Sequence, residues 1–577
     1  MPSRSDLWAV YNTLEPGINC LRQFFADGSF GNRPDIPVYG IETTSMLSLK
    51  AHTSGLFLMG QKLALAFAIC FAGSGCSTSD HAKADRAGEE IVQEVLAQVR
   101  QGILVKQQET LPLESVSTNR DVPVLNQSLN LEDTLRLSTL HNRNYISQRE
   151  SLFQSALALG VTRRDFLRPV FSGSISSTLS GGSGQEVSSV SGLSLNGQQY
   201  LFTGGRLSVG VGSTLNDDGE NLPEIYSGNF SASISQPLLR GAGPGLPYEG
   251  LTQAERNLLY TTRSFELFRQ DFAIQITKKF YDLLSQKKKL QNAEENVRGQ
   301  QFAYDQAKAL FRIGTGSSLD VFRAEQALLL AKNDQSNTVE QYKVALDNFK
   351  IDLGIPIESE IDLTGEFPAI SEASVVLEDA LLSARENRLD LQTARDQLED
   401  VERQLDISRN GLLPDLNLNI NYGSDSSDQF DFLDLELGDS ESYSVGLNLE
   451  IPLDRLARRN SFRNAEIALD REVRQFDLKS QQVTLEVQGA LRQLAQLKFQ
   501  IEIGERSIQS FSSTVEKAEI DQLRGTVTNR DVVEAQSALT DAKNAQLDRI
   551  VDHEIQVLEL YKLMGLLLVS EEGMIVQ

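Results

Sequence analysis

The feature that most constrains this chain is an internal duplication. Glycine, aspartate and alanine residues recur in the same order at a constant displacement of 211 positions. The matched pairs are Gly314/Gly525, Asp320/Asp531, Ala324/Ala535, Ala331/Ala542 and Gly354/Gly565. An upstream match between residues 131–135 and 377–381 is displaced by 246, so one segment of the first copy is about 35 residues longer. Two copies of one unit are better evidence for a symmetric architecture than for catalysis.

Charge, hydropathy and cysteine content exclude several classes of protein. The formal net charge of −25 argues against nucleic-acid binding, which requires a basic face. No run of about 18 apolar residues exists, so no transmembrane helix is expected. The cysteines Cys20, Cys70 and Cys76 all precede residue 80, and the four histidines lack ligand spacing. The sequence therefore predicts no disulfide framework, no metal site and no cofactor in the body of the chain.

The N-terminal region carries a targeting pattern. Lys62 precedes the apolar run 63–72, and small residues then lead to Cys76. This order is typical of a secretory signal, and it resembles a bacterial lipoprotein signal in which Cys76 becomes the lipidated residue. Simple cleavage and an uncleaved segment are the alternatives. We interpret residues 1–75 as a possible mis-called start followed by the signal, and residues 76–125 as a lipid-anchored tether.

Alternating residues predict one β-hairpin in each copy. The first lies between Pro169 and Pro237 and the second between Pro414 and Pro452, each after a helical segment that starts at 131 or 377. We expect the excess length of the first copy to form an exposed loop around 180–204. Such hairpins either pack on a soluble core or line a membrane barrel, with lipid outside and water inside. The export signal and the repeat favour the barrel.

Each hairpin is followed by an unusually long helical pattern. Residues 248–313 and 455–523 contain no proline, and each predicts a helix of roughly 100 Å. Return helices of about 36 residues end at Gly354 and Gly565, so two half-length helices stacked end to end match one long helix. The resulting domain boundaries are 126–356 for the first repeat, 357–376 for an equatorial linker, 377–570 for the second repeat and 571–577 for a tail.

Over about residues 125–570 this combination resembles the TolC-type outer-membrane efflux proteins. The matching motifs are a duplicated Gly-x5-Asp-Val-x2-Ala, Leu-Gly-Ile-Pro356 and Ser-Gln-Pro-Leu-Leu-Arg240. The resemblance implies a mixed, mostly α-helical fold in a homotrimer. Its transmembrane β-barrel would take about four strands from each protomer, about twelve in all, and would continue as a periplasmic α-helical barrel. One protomer has too few strands to close a barrel, and an open edge in lipid leaves backbone groups unsatisfied.

The resemblance also implies a function and partners. The chain would be a lipid-anchored exit duct in the outer membrane that extends into the periplasm. It would serve a tripartite efflux or type I secretion system as a passive channel rather than an enzyme. Its partners would be two further copies of itself, a periplasmic adaptor protein, an inner-membrane pump and outer-membrane lipid. The cargo would be small toxic molecules or secreted proteins.

Candidate site residues lie at the ends of the helical hairpins. Asp531 and Glu534 are three residues apart and therefore share one helix face. Matched to the family motif, they would form an acidic ring at the periplasmic entrance that attracts cations. A solvated helix face is the alternative. Asp320 occupies the equivalent position in the first copy and is a candidate for a latch that holds the entrance closed, with Arg524 or Arg530 as partner.

The sequence departs from the family at the second tip. A tyrosine and an arginine expected there are Gln522 and Val527, which leaves the bonding of a closed entrance open. The two tip sequences resemble docking sites for adaptor proteins, although each would also suit a simple helix–turn–helix. They comprise Ile313, Gly314 and Thr315 in the first copy and Arg524, Gly525 and Thr526 in the second.

Two other kinds of protein remain possible from the sequence. A soluble or peripheral periplasmic coiled-coil scaffold would have helix throughout and no strands facing lipid. A lipoprotein enzyme acting on a cell-wall substrate would need a pocket with an acid or a nucleophile. The stretch 241–245 is rich in glycine but lacks the Lys-Ser/Thr of a phosphate-binding loop, and no catalytic constellation is evident.

Overall fold

The computed structural model divides the chain into two compact units, residues 1–79 and 80–577. Nothing in the first unit is among the described residues, so the predicted signal segment and Cys76 lie outside them, as does Gly525 at the second tip. The structure describes residues 86, 88–95, 126–181, 188–217, 225–243, 245–367, 375–428, 440–524, 526–569 and 574–576.

Helices dominate the described residues, in the order that the sequence predicts. The first half contains α1 (Leu131–His141), α2 (Arg143–Leu167), α3 (Glu249–Arg312) and α4 (Ser318–Leu353). The second half contains α5 (Leu377–Asn387), α6 (Leu389–Asn410), α7 (Leu456–Leu523) and α8 (Asn529–Leu563). The two long helices, α3 with 64 residues and α7 with 68, are confirmed. They extend about 96 and 102 Å.

The long helices are held by short helices packed along them. In the first half α1 and α2 pack on the first part of α3, and α4 packs on its remainder. Tyr145 of α2 lies among Phe265, Phe268 and Phe272 of α3, with ring centroids 5.1–6.0 Å apart. Four residues of α3 spaced by seven, Leu251, Leu258, Phe265 and Phe272, therefore point into one apolar cluster, as expected for a helix buried on one stripe.

A second apolar cluster lies at mid-height, where α4 ends. Phe280 of α3 is buried there with Phe349 and Leu353 of α4. Two short strands, β1 (Asn126–Leu129) and β6 (Glu360–Leu363), pair in parallel and add Leu129 and Leu363 to the cluster. Only β6 belongs to the segment 357–376 that the sequence predicts as an equatorial linker, whereas β1 is the start of the predicted first repeat.

Part of the predicted tether is packed rather than free. Residues 88–95 form a helical segment, and Val92 and Val95 are buried in the cluster beneath α2. Gly88 lies so close to Phe153 that an added Cβ would be 2.8 Å from the ring. Only a few apolar residues at helical spacing distinguish this segment from its polar surroundings, which is too short a pattern to read from the sequence.

Six further strands are β2 (Val170–Ser180), β3 (Ser188–Tyr200), β4 (Arg206–Asp217), β5 (Ile225–Pro237), β7 (Asp415–Asp428) and β8 (Ser440–Glu450). They form one antiparallel sheet in the order β2-β3-β4-β5-β7-β8. The first half thus supplies four strands where the sequence predicts two. The expected loop around 180–204 is wrong, because Ser188–Tyr200 is a full strand. Its alternation is mainly serine and glycine against leucine, a pattern easily taken for a polar loop.

The sheet has one apolar and one polar face. Residues paired across the ladder share a face, as in the row Ile234, Ile420 and Val445. The apolar face carries Phe171, Ile175, Leu193, Leu195, Leu207, Val209, Val211, Phe230, Leu416, Leu418, Tyr422, Tyr443, Leu447 and Leu449 as well. The other face carries mainly serine, asparagine, threonine and glycine. The strands β2 and β8 are the two edges, and neither has a second neighbour among the described residues.

The segment that follows α8 is bonded to α3 by buried polar side chains. After α8 the strands β9 (Leu567–Val569) and β10 (Met574–Val576) pair with each other. Arg269 of α3 donates to the carbonyl oxygen of Val569 at 2.8 Å, and Gln270 donates to that of Leu567 at the same distance. These bonds attach the end of the second half to the first half.

Candidate functional site

The first helical tip is a tight turn built around Gly314. Helix α3 ends at Arg312, and Gly314 adopts a φ of 81°, which favours glycine. Thr315 then donates both its N–H and its Oγ1 to the carbonyl oxygen of Leu310, at 3.1 and 3.2 Å. Ser317 caps α4 by accepting from the N–H of Leu319.

The second tip repeats this bonding 211 positions later. Thr526 donates its N–H and its Oγ1 to the carbonyl oxygen of Asp521, at 3.0 and 2.9 Å. The next helix, α8, again begins after a hydroxyl residue, here Thr528. The two tips therefore present the same turn to their surroundings, each closed by a threonine.

Asp531 has a structural role that the sequence analysis missed, although the Thr528-Asn-Arg-Asp531 spacing is the signature of a helix capping box. Its Oδ2 accepts from the N–H of Thr528 at 2.8 Å and from the Thr528 Oγ1 at 2.7 Å, which completes a capping box at the start of α8. The Thr528 hydroxyl, followed by the Thr528 N–H, lowers the pKa of Asp531. The carboxylate is exposed and therefore offers a fixed negative charge at the tip at neutral pH.

Glu534 lies one turn further along α8 and shares the exposed surface with Asp531. It accepts from Arg530 Nε in an ion pair between residues four apart, and both side chains are mostly exposed. Val532 and Ala535 are buried, so the acidic pair faces away from the packed side of the helix. Arg530 offsets part of the negative charge in the single chain.

The predicted latch residues are not in contact within one chain. Asp320 lies in the first turn of α4, and its carboxylate forms no hydrogen bond or ion pair with another described residue. Arg524 pairs with Asp521 at 3.6 Å and Arg530 pairs with Glu534. A latch between Asp320 and either arginine stays a prediction.

A buried amide pair closes the second tip, and sequence reasoning missed it. Gln522 at the end of α7 donates from Nε2 to Asn529 Oδ1 at the start of α8, at 3.0 Å. Both side chains are buried, with 5% and 4% of their surface exposed. Gln522 drew attention in the sequence only as a departure from the family's tyrosine. Its spacing of seven from Asn529 across a turn was the available signal.

Replacing Gln522 by leucine is expected to loosen this tip. The Asn529 amide would be left buried without its partner, at a cost of about 1–3 kcal/mol in the local opening free energy. Hydrogen exchange of the amides in the first turn of α8 should be correspondingly faster. The double variant Gln522→Leu/Asn529→Leu should recover most of the protection, and equally fast exchange in both variants would contradict the pairing.

Apolar side chains are exposed around the first tip. Ile313, Leu319 and Phe322, which we call the first-tip patch, are 72%, 52% and 67% exposed. Leu523 is similarly exposed at the second tip. Exposed apolar groups of this size at the end of a long rod are suited to contact with another protein surface.

The described residues contain neither a metal-binding cluster nor a membrane-spanning helix. No cluster of histidine, cysteine, aspartate and glutamate there could hold a metal ion. Among the same residues, no helix combines the length and the apolar character needed to cross a bilayer.

Comparisons with known proteins agree with this architecture. The chain is 23% identical over 373 residues to the outer membrane protein TolC of Vibrio cholerae, which covers 63% of this chain and 81% of the relative. Among solved structures, the CmeC outer membrane channel of Campylobacter jejuni matches with a TM-score of 0.57 and 15% identity, over 75% of this chain and 85% of that one.

The open state of the MtrE outer membrane channel of Neisseria gonorrhoeae matches with a TM-score of 0.56 and 13% identity, over 80% of this chain and 98% of that one. These structures share the fold. The family model described as "Outer membrane efflux protein" matches residues 205–350 and 380–566, more than half of the 577 residues. The resemblance read from the sequence is confirmed, and the chain belongs to the outer membrane efflux protein family.

Proposed function

We propose that this chain forms a passive duct through which a tripartite efflux or type I secretion system exports its cargo across the outer membrane. The observation that carries the proposal is the two-faced sheet joined to rods of about 100 Å. An exposed apolar face suits lipid, and a face of hydroxyl and amide groups suits a water-filled lumen. The helices would extend from the sheet into the periplasm. The family is one of channels rather than enzymes.

In this proposal the working unit is a homotrimer, anchored at Cys76 by lipid. In the part of the chain that the structure describes, both edges of the sheet are unpaired, which would be costly in lipid and which pairing between copies would satisfy. Exposed apolar residues along the rods, such as Phe302, Leu329 and Phe499, would be covered by the same association. Both features support assembly.

The helical tips would form the periplasmic entrance and the contact with partners. Asp531 and Glu534 of three copies would surround the aperture with exposed carboxylates. The first-tip patch and Leu523 would contact a periplasmic adaptor protein, which couples the duct to an inner-membrane pump. Asp320 would hold the closed state with Arg524 or Arg530 of a neighbouring copy, because neither arginine contacts it within one chain.

Single-channel recording tests the proposed function. Purified protein added to a planar bilayer should produce discrete conductance steps that favour cations. A coiled-coil scaffold would give none. A protein that remains soluble without detergent and produces no steps would overturn the duct.

The acidic entrance predicts opposite effects from two neighbouring substitutions. Glu534→Gln should lower the preference for cations over anions, and Asp531→Asn/Glu534→Gln should lower it several-fold. Arg530→Gln should raise it, because the positive partner of Glu534 is removed. Asp541→Asn, an exposed acid further along α8, is the matched control and should have little effect. Unchanged selectivity in all four variants, with normal conductance, would rule out the ring and leave the duct standing.

A further inference from the structure

The sheet of one chain already has the slope of a closed barrel. Followed across the ladder, Val170 of β2 is level with Gln198, Ser208, Ser233, Asn421 and finally Ser444 of β8. The helices α2, α3, α6 and α7 all join the sheet at one end, where β2 starts at Val170 and β8 stops at Glu450. The ladder therefore drifts by the six residues from Ser444 to Glu450 over five strand-to-strand steps.

This drift gives a tilt angle. Six residues span about 20 Å along a strand, and five steps span about 24 Å across the sheet. The strands thus tilt by about 40° from the barrel axis, within the range of about 35–45° that closed barrels adopt. A flat sheet packed on a soluble core would need no such steady drift in one direction.

The two free edges match each other. The strands β2 and β8 both contain 11 residues. They run in opposite directions, because β2 and β8 are the first and the last of six strands that alternate in direction. With Val170 opposite Glu450, the same register sets Phe171 against Leu449 and Ile175 against Val445, so that both faces continue across the seam.

The polar face is uncharged over most of its height. Its charged residues lie at the strand ends, with Arg206, Asp415 and Glu450 at the helical end and Asp425 near the other. The other described residues of this face are mainly serine, threonine, asparagine, glutamine or glycine. The apolar exceptions lie near its two ends, with Val190 level with Ile225 at one end and Val170, Tyr200 and Pro237 at the helical end. Glycines and serines keep these side chains short.

From these observations, and resting on the proposed trimeric duct, we infer that β8 of each copy pairs with β2 of the next to close a barrel of 18 strands rather than 12. The seam adds a sixth step without further drift, so the closed barrel tilts by about 35°. At this tilt the backbone diameter rises from about 23 to about 34 Å, because barrel diameter grows linearly with strand number. The membrane section is then a wide, neutral exit for bulky polar cargo. Selection by size and by charge is left to the helical tips.

The hairpin of β3 and β4 is an integral part of this wall. The turn between them carries Gly204, whose φ is 92° and whose position leaves no room for a Cβ beside the carbonyl oxygen of Gly241. Phe166 of α2 stacks on Tyr200 at the end of β3, with ring centroids 5.3 Å apart. The added strands are therefore anchored to the same helical end as the others.

Cysteine cross-linking tests the seam directly. Ser174→Cys and Gly446→Cys are directly opposite in the inferred register, and an added Cβ at Gly446 meets nothing within 4 Å. No natural cysteine follows Cys76, so the background is read from the two single variants. The double variant, in outer membranes under mild oxidation, should give covalent dimers and trimers. Ser174→Cys/Asn421→Cys, which uses the interior strand β7, should give none.

The other outcomes of cross-linking are decisive as well. A cross-linked monomer would mean that β2 and β8 close on each other within one chain, which overturns the inference. Channels that conduct normally but never cross-link at this seam, including with a thiol-reactive linker that tolerates a register shift of two residues, would also overturn it. If the wild-type protein itself shows no conductance, the result would instead count against the proposed duct.

Polymer exclusion tests the width. Deleting residues 181–224 joins β2 to β5 through a short turn and leaves four strands, with the same face alternation and both helices at the same end. Neutral polymers added from the side opposite the helical tips enter the barrel and lower its conductance. The largest polymer diameter that does so should fall by about a third in the deletion variant. An unchanged cut-off would contradict the 18-stranded wall.

Discussion

Replacing Glu266 by leucine is expected to lower the free energy of unfolding by about 3–5 kcal/mol, because it would leave a buried arginine without its counter-charge. Arg269 Nη1 contacts both carboxylate oxygens of Glu266, at 2.8 and 2.9 Å. The two side chains are only 7% and 12% exposed. Burial alone lowers the pKa of the Arg269 guanidinium, and the Glu266 charge more than reverses this, so the pKa lies above its ordinary value.

The loss of stability should arise when one charge is left buried without its partner, and not when both charges are removed together. The double variant Glu266→Leu/Arg269→Met removes both charges and is expected to regain most of the lost stability. Glu340→Leu breaks an exposed pair of the same spacing with Lys343 and should cost no more than about 0.5 kcal/mol. Urea unfolding of the detergent-solubilised protein supplies the comparison. Additive losses in the double variant would refute the buried-pair interpretation.

Gly354→Ala is also expected to lower the free energy of unfolding strongly. Gly354 ends α4 with a φ of 76°, a conformation that costs an alanine about 1–2 kcal/mol. An added Cβ would also lie 2.1 Å from the carbonyl oxygen of His141, the last residue of α1, whose backbone has little freedom to move. The two effects together predict a loss of about 2–5 kcal/mol, seen as a lower midpoint of thermal unfolding.

Gly489→Ala provides the matched control for that substitution. Gly489 lies inside α7 with open space where its Cβ would be. Alanine is the better helix former there, so this variant should be neutral or more stable by up to about 1 kcal/mol. If both alanine variants unfold at the wild-type temperature, the close contact between Gly354 and His141 is not a constraint on the fold.

Long-range architecture was readable from this sequence because its signals are repeated many times. The apolar stripe of α3 recurs over nine turns or more without proline, and the break at Gly314 coincides with a helix end. The apolar periodicity of a long helix is read over many residues, so a few residues that break the pattern do not alter the prediction. The same holds for Gly354, where a left-handed helix cap is required.

The strand count was not readable, because strand signals in such a sheet are weak. In β3, small polar residues outnumber apolar ones, and only Leu193 and Leu195 mark the row on the apolar face. This serine-rich segment is a strand rather than a loop because it pairs with β2 on one side and β4 on the other. Such pairing cannot be seen in the sequence of the segment alone.

At the tips, the sequence located the residues but not their bonds. Asp531 was predicted as a pore charge, and the structure adds that it also caps α8 through Thr528. Asp531→Asn therefore changes both charge and helix capping, whereas Glu534→Gln changes charge and one exposed ion pair. The Gln522–Asn529 bond depends on how α7 and α8 approach across the turn, which no local pattern specifies.

The uninterrupted course of α3 makes it a lever. Its last 32 residues, from the mid-height cluster at Phe280 to the tip at Arg312, measure about 48 Å. Pivoting this arm by about 5° at the cluster would displace the tip by about 4 Å without breaking one helical hydrogen bond. Small-angle movement, multiplied by arm length, is sufficient to change an aperture by the size of a side chain.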